Sequence, residues 1–110
     1  MLMLPDVKVY LSTAVTDMRK SFDGLAQLVK QELSKDVFTG ELFVFFNRSA
    51  DRVKILYWDR NGYCLWAKRL EKGTFRRPNV HGKVAPMRLN ELSLLLEGID
   101  LTHHQRLTPV

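Results

Sequence analysis

Residues 42–70, LFVFFNRSADRVKILYWDRNGYCLWAKRL, decide the fold. Leu42 to Phe46 is apolar at every position, with Leu42, Val44 and Phe46 on one side of an extended chain and Phe43 and Phe45 on the other. Such a strand belongs inside a sheet covered on both faces. After the polar turn 47–51, Val53 to Trp58 reads as a further strand. Asp59-Arg60-Asn61-Gly62 then places Asn-Gly between two alternating runs, a strong hairpin signal, so Tyr63 to Leu70 is the antiparallel partner.

Outward from this hairpin, Val7 to Leu11 alternates as VKVYL and supplies an opening strand. Thr16 and Asp17 offer N-cap chemistry, and Met18, Phe22, Leu25, Val29 and Leu33 recur at four- and three-residue steps. That spacing predicts one long amphipathic helix of about four turns. Gly24 inside it fits a close approach to the sheet beneath. On the C-terminal side, Glu71-Lys72-Gly73 turns the chain towards a short strand at Thr74 to Arg77, and Pro78 to Pro86 reads as a loop. NELSLLLEG, residues 90–98, predicts a short helix with Asn90 as cap and Gly98 at its end. The expected fold is α+β: a single domain over 1–110 with a core of about 7–100 and a frayed tail at 101–110. Its antiparallel sheet has about four or five strands, with one long amphipathic helix and a short C-terminal helix. At 110 residues the chain buries roughly 65% of its unfolded surface, enough for one modest core.

Charge is distributed unevenly. The chain carries 17 Lys and Arg against 12 Asp and Glu, and nine of those bases but only three of the acids lie between Arg48 and Arg77. Basic residues alternate there with Tyr57, Trp58, Tyr63, Trp66 and Phe75, the mixture a nucleic-acid-facing surface needs. Alternation sets Lys54 with Trp58, and Lys68 with Trp66, and the expectation is that all four share one face while Arg69 lies on the other. The candidate phosphate contacts are Lys54, Lys68, Arg69, Arg76 and Arg77, with Arg19 and Lys20 as additions and Trp58 or Trp66 as stacking groups. A solvated face, with Lys and Arg stems lying over aromatic rings, gives the same pattern.

Other chemistries find little support. The longest apolar runs are too short to span a bilayer, and the N-terminal stretch has no basic lead-in or small-residue cleavage site, so the expected compartment is the cytoplasm. A single cysteine, Cys64, agrees with a reducing compartment and reads as a buried or half-buried strand residue. His103 and His104 are adjacent and His81 stands apart, with no HExxH or cysteine pair, so neither a metal nor another cofactor is expected. Asp17, Asp59 and Glu71 are the nominees for a metal-dependent nuclease. Local duties explain them better: a helix first turn for Asp17, the opening of a hairpin turn for Asp59, and for Glu71 a surface ion pair with a flanking base, Arg69 or Lys72. Phosphate-cradling glycine loops and a nucleophile elbow are both missing.

Three blocks, TDMRKSFDGLAQLV at 16–29, ELFVFFNRSADRVKILYWDRNGYCLWAKRLEKGTF at 41–75 and LLLEGID at 94–100, stand in the order and spacing of one family. They resemble the small accessory protein, TnpB or the second-open-reading-frame product, of IS-66-type bacterial insertion sequences. The resemblance implies a cytoplasmic bacterial protein, encoded beside a separate transposase and assisting movement of the element. By position, its pattern falls on Asp17, Met18, Arg19 and Lys20, on Gly24 and Leu25, on Lys54, Trp58, Asp59 and Gly62, and on Lys68, Arg69, Leu70 and Glu71. Arg77 stands where the family usually has an aromatic, and Arg88 where it usually has a Ser or Thr helix cap. The resulting expectation is a non-enzymatic factor binding DNA, at the element's ends or within a transposase–DNA complex, through a basic aromatic hairpin. An adaptor touching only the transposase and a metal-dependent nuclease are the alternatives, and an exposed sheet edge leaves room for a homodimer.

Overall fold

The all-apolar run Leu42–Phe46 (β2) is the middle strand of a five-stranded sheet, and all five of its residues are buried. The other strands are Val9–Val15 (β1), Arg52–Asp59 (β3), Gly62–Arg69 (β4) and Val84–Met87 (β5), in the order β4-β3-β2-β1-β5. This computed structural model describes residues 6–97 together with the backbone of 99–100 and 105–106. Gly98, His103, His104 and most of the expected tail lie outside the described residues. A two-residue ladder pairs Ile99–Asp100 (β6) with Gln105–Arg106 (β7).

One helix covers each face. Leu25 and Val29 of Phe22–Gln31 (α1), with Leu33 and Val37, pack on Phe43, Phe45 and Leu56. Leu92 and Leu95 of Leu89–Leu96 (α2), with Phe75, pack on Leu42, Val44, Phe46, Val53 and Ile55. The two-sided pattern of β2 follows from these two covers.

The sheet is mixed rather than antiparallel throughout, because β1 pairs with β2 in parallel. Their connection carries α1 across one face, and such a crossover returns the chain in its original direction. β1 also runs on to Val15, so Thr16 still donates its N–H to Phe46 C=O and Asp17 leads into a turn at Met18 and Arg19, and neither caps a helix. Consequently α1 has ten residues, Ser21 occupies its cap position without a side-chain bond, and Phe22 is 44% exposed instead of sharing the core stripe. Gly24 faces Lys20 and not the sheet: a Cβ there would lie 3.3 Å from Lys20 Cβ.

The expected strand at Thr74 to Arg77 is irregular chain, pinned where the Phe75 N–H donates to the Ala50 carbonyl and the ring packs on Phe46. The fifth strand of the sheet is instead β5, most of which lies in the stretch expected to be a loop. Pro86 is tolerated in it because β5 lies at the sheet edge, where one side of the backbone needs no ladder partner. Arg88 holds the cap position of α2 and Asn90 lies in its first turn. The Glu91 carboxylate accepts the Arg88 N–H and the Asn90 side chain accepts the Glu91 N–H, which supplies the capping an arginine side chain, having no acceptor, cannot. Among the described residues no helix is long and apolar enough to cross a membrane.

Candidate nucleic-acid interface

Because β1 and β2 are parallel, their carboxyl ends meet at one end of the sheet, where antiparallel β3 begins and β4 finishes. Segments remote in sequence converge there. The turn after β1 carries Arg19 and Lys20, the turn after β2 carries Arg48, and the strand ends are Arg52 and Arg69. The connection 70–83 is tied to the same end, since Leu70 N–H donates to Asp51 C=O, Phe75 N–H to Ala50 C=O and Thr13 N–H to Lys83 C=O. It adds Lys72, Arg76, Arg77 and Lys83. The acids among them are Asp17, Asp23, Asp51 and Glu71.

Those carboxylates are largely committed to near neighbours. Asp17 is gripped by Arg19, whose Nη2 lies 2.7 Å from Oδ2 and whose backbone N–H lies 2.9 Å from Oδ1. These bonds hold the Asp17 carboxyl down at about 2, against an ordinary 3.8, and raise the Arg19 guanidinium. Asp51 accepts from the Asn47 amide at 2.7 Å, which lowers its pKa. Glu71 meets Arg69 at 3.1 Å. Among the described residues, Arg48, Arg52, Arg76 and Arg77 have no ion-pair partner.

Arg52 and Arg69 stand directly opposite each other on β3 and β4, on the α1 face. They flank a surface depression of about 460 Å³ that Met18, Lys54 and Glu71 also line. Like charges in that relation repel, and Glu71, which pairs with Arg69, leaves Arg52 without a counter-charge among the described residues. Arg52 is not among the expected contacts because the strand expected at Val53 to Trp58 begins one residue earlier in the structure. The signal was present in its two-residue spacing from Lys54.

The register corrects the expected faces. Val53 pairs with Lys68 and Lys54 with Ala67, so the two lysines lie on opposite faces, and Arg69 shares the α1 face with Lys54. The hairpin loop has two residues, Arg60 and Asn61, so each even-numbered position of β3 pairs with an odd-numbered one of β4 and shares its face. Both ammonium groups are also occupied. Lys54 Nζ donates to the carbonyls of Met18 and Lys20, each at 2.7 Å, and Lys68 Nζ donates at 2.7 Å to Leu96 C=O at the C-terminal end of α2. They fasten the turn before α1 and the end of α2 to the sheet.

Neither tryptophan sits at the basic end. Trp58 lies six residues along β3 from Arg52, roughly 20 Å away, in a cluster with Phe38 and Tyr63. Trp66 is half-buried on the α2 face, packed against the core. Cys64 is half-buried on β4. The three nuclease nominees do not converge: Asp17 is clamped by Arg19, Glu71 pairs with Arg69, and Asp59 closes β3 at the opposite end. Among the described residues no three His, Cys, Asp or Glu side chains are grouped to hold a metal.

A family model described as IS66 Orf2 like protein matches residues 7–106. The chain is 41% identical over 106 residues to the uncharacterized protein y4hO of Sinorhizobium fredii (strain NBRC 101917 / NGR234), covering 94% of this chain and 92% of that one. It is 36% identical over 100 residues to the uncharacterized protein y4jC of the same organism, covering 91% and 86%. No solved structure matches.

Proposed function

Since the chain belongs to the IS66 Orf2-like family, a membership that implies a role accessory to transposition, we propose that it is a non-enzymatic factor that holds DNA by the basic end of its sheet. The observation that carries this reading is the opposed pair Arg52 and Arg69, backed by Arg48, Arg76 and Arg77 without counter-charges of their own. Opposed guanidiniums cost stability in the free protein and acquire a use when a phosphate enters between them. The clamped and tied groups Arg19, Lys54 and Lys68 shape this end, and Arg52 and Arg69, with the unpaired Arg48, Arg76 and Arg77, make the contacts.

The contacts are to phosphates. They come from turns and strand ends, and neither helix presents an array of Asn, Gln and Arg for base edges in the major groove. Binding is therefore sequence-tolerant, and preference for the element's ends comes from the transposase–DNA complex in which the protein works. With about five phosphates neutralised, affinity falls roughly 10²–10³-fold between 50 and 200 mM salt.

The test is a salt series with labelled terminal-repeat duplex and scrambled duplex, with and without the transposase. Salt-steep binding lost in a folded Arg52→Ala/Arg69→Ala variant supports the reading. A curve flat in salt rejects it, and binding that appears only with transposase transfers the role to protein contact.

A further inference from the structure

The two edges of the sheet are unequal. β5 is four residues long and carries Pro86, which has no N–H to offer, so that edge resists further pairing. β4 is eight residues long, keeps its register against β3 without a bulge or a proline, and has no second partner among the described residues. Its cations stand at one end, where Lys68 is tied to Leu96 C=O and Arg69 meets Glu71. The stretch from Tyr63 to Ala67 carries no charge; Tyr63 to Trp66 are half-buried and Ala67 is exposed. An edge that is long, regular and uncharged at its centre is a template for another strand.

Which backbone groups face outward follows from the hairpin. The residues flanking a two-residue loop, Asp59 and Gly62, bond to each other, so the even-numbered positions of β4 bond to β3. Neighbouring bonds agree: Leu70 N–H donates to Asp51 C=O across this pair, and Arg52 C=O accepts Asn47 N–H on the β2 side. Tyr63, Leu65, Ala67 and Arg69 therefore turn their N–H and C=O groups away from the sheet. A second copy of β4, antiparallel and centred on Leu65, meets that row without conflict. Each Leu65 then faces the other, each Tyr63 stands opposite the other copy's Ala67, each Cys64 opposite the other's Trp66, and each Arg69 opposite the other's Asn61. A large ring meets a small side chain on the α1 face, roughly six ladder hydrogen bonds close, and no like charges are opposed. A one-residue slip sets outward groups against groups already bonded to β3. Longer slips bring Lys68 and Arg69 over the uncharged centre or run the ladder into the loop at Arg60 and Asn61.

We propose that the protein forms a homodimer by antiparallel pairing of β4 with β4 of a second copy, centred on Leu65, to make one ten-stranded sheet. The contact is two-fold and closed, and it leaves the proline-blunted β5 edges outside, so assembly ends at the dimer. It goes beyond DNA binding and does not depend on it. Because the paired strands run in opposite directions, the Arg52–Arg69 ends of the two copies lie at opposite ends of the joint sheet.

The experiment is sedimentation equilibrium of the full chain from low micromolar to near-millimolar concentration, with residue-resolved amide exchange at both ends of that range. An edge contact belongs to the weak class of interfaces, so the expected result is a monomer–dimer equilibrium in the micromolar range with no larger species. As the dimer forms, exchange at Tyr63, Leu65 and Ala67 slows at least about tenfold, whereas Cys64 and Trp66 are protected at every concentration and β5 does not change. Ala67→Pro removes one outward donor from an exposed position and leaves the bonds to β3 whole, so it weakens the dimer at least about tenfold, and Ala67→Ser, which keeps the donor, does not. If Ala67→Pro fails to fold, the exchange pattern of the unsubstituted chain decides. A monomer at the highest concentration overturns the proposal, as does a dimer indifferent to Ala67→Pro or protected at other residues. Protection of the Tyr63, Leu65 and Ala67 amides in the monomer also overturns it, because the edge is then covered by its own chain. None of these measurements contains DNA, so their outcome is separate from that of the salt series.

Discussion

The ammonium of Lys54 lies 2.7 Å from the carbonyl oxygen of Lys20 and equally far from that of Met18. A basic strand residue that the sequence offers as a phosphate contact is thus a staple between β3 and the turn that launches α1.

Lys54→Met keeps the aliphatic stem and removes the donor. Two carbonyls lose a charged partner, and stability should fall by about 1–3 kcal/mol. Urea unfolding reads this as a lower midpoint at constant slope. The salt slope of DNA binding should stay as it is, because the ammonium was never available to a phosphate. A variant as stable as the parent would refute the staple.

Arg52→Gln should move two quantities in opposite directions. Relief of the repulsion with Arg69 should raise stability by about 0.2–1 kcal/mol. Loss of one phosphate contact should weaken DNA binding and reduce its salt slope by about 1. Lower stability together with unchanged affinity would identify Arg52 as structural.

Asp17 should titrate near 2 by carboxyl NMR, and Arg19→Ala should return it towards the ordinary 3.8, since the Arg19 hydrogen bonds are the largest cause of the shift. A depressed folded-state value stabilises the fold above the unfolded value, and the effect is lost as pH falls through the folded one. The Asp17–Arg19 contribution is therefore complete above about pH 4 and gone below about pH 2. A titration midpoint that ignores Arg19→Ala would reject this account of the clamp.

Arg60 opens the two-residue hairpin loop at φ 50°, where the Asn61 N–H donates to Asp59 C=O. Glycine enters that region without the steric cost, so Arg60→Gly should stabilise by about 0.5–1 kcal/mol. Because Arg60 is remote from the basic end, the salt dependence of DNA binding should not change. Thermal melts and the same salt series check both halves.

Period-two and all-apolar patterns are local, and they were enough to place β2 in the middle of the sheet, to pair β3 with β4 and to identify the linked blocks of the family. Boundaries were less legible. α1 starts at Phe22 because β1 claims the chain up to Val15, and Val84–Met87 becomes a strand only because β1 has an open edge for it to pair with. The site was least legible. Lys68 lies on the face opposite Lys54 because a two-residue hairpin loop pairs even-numbered positions of β3 with odd-numbered positions of β4, a relation between strands that alternation within each strand does not show. The segments that carry Arg48, Arg52, Arg76 and Arg77 come to one end of the sheet only through the parallel crossover and the Phe75 anchor. The sequence by itself determined which residues are extended, which are apolar and how much positive charge the chain carries. Tertiary structure alone decided which cations face solvent and which are spent on carbonyls, because pairing register and long-range hydrogen bonds join residues that no local pattern links.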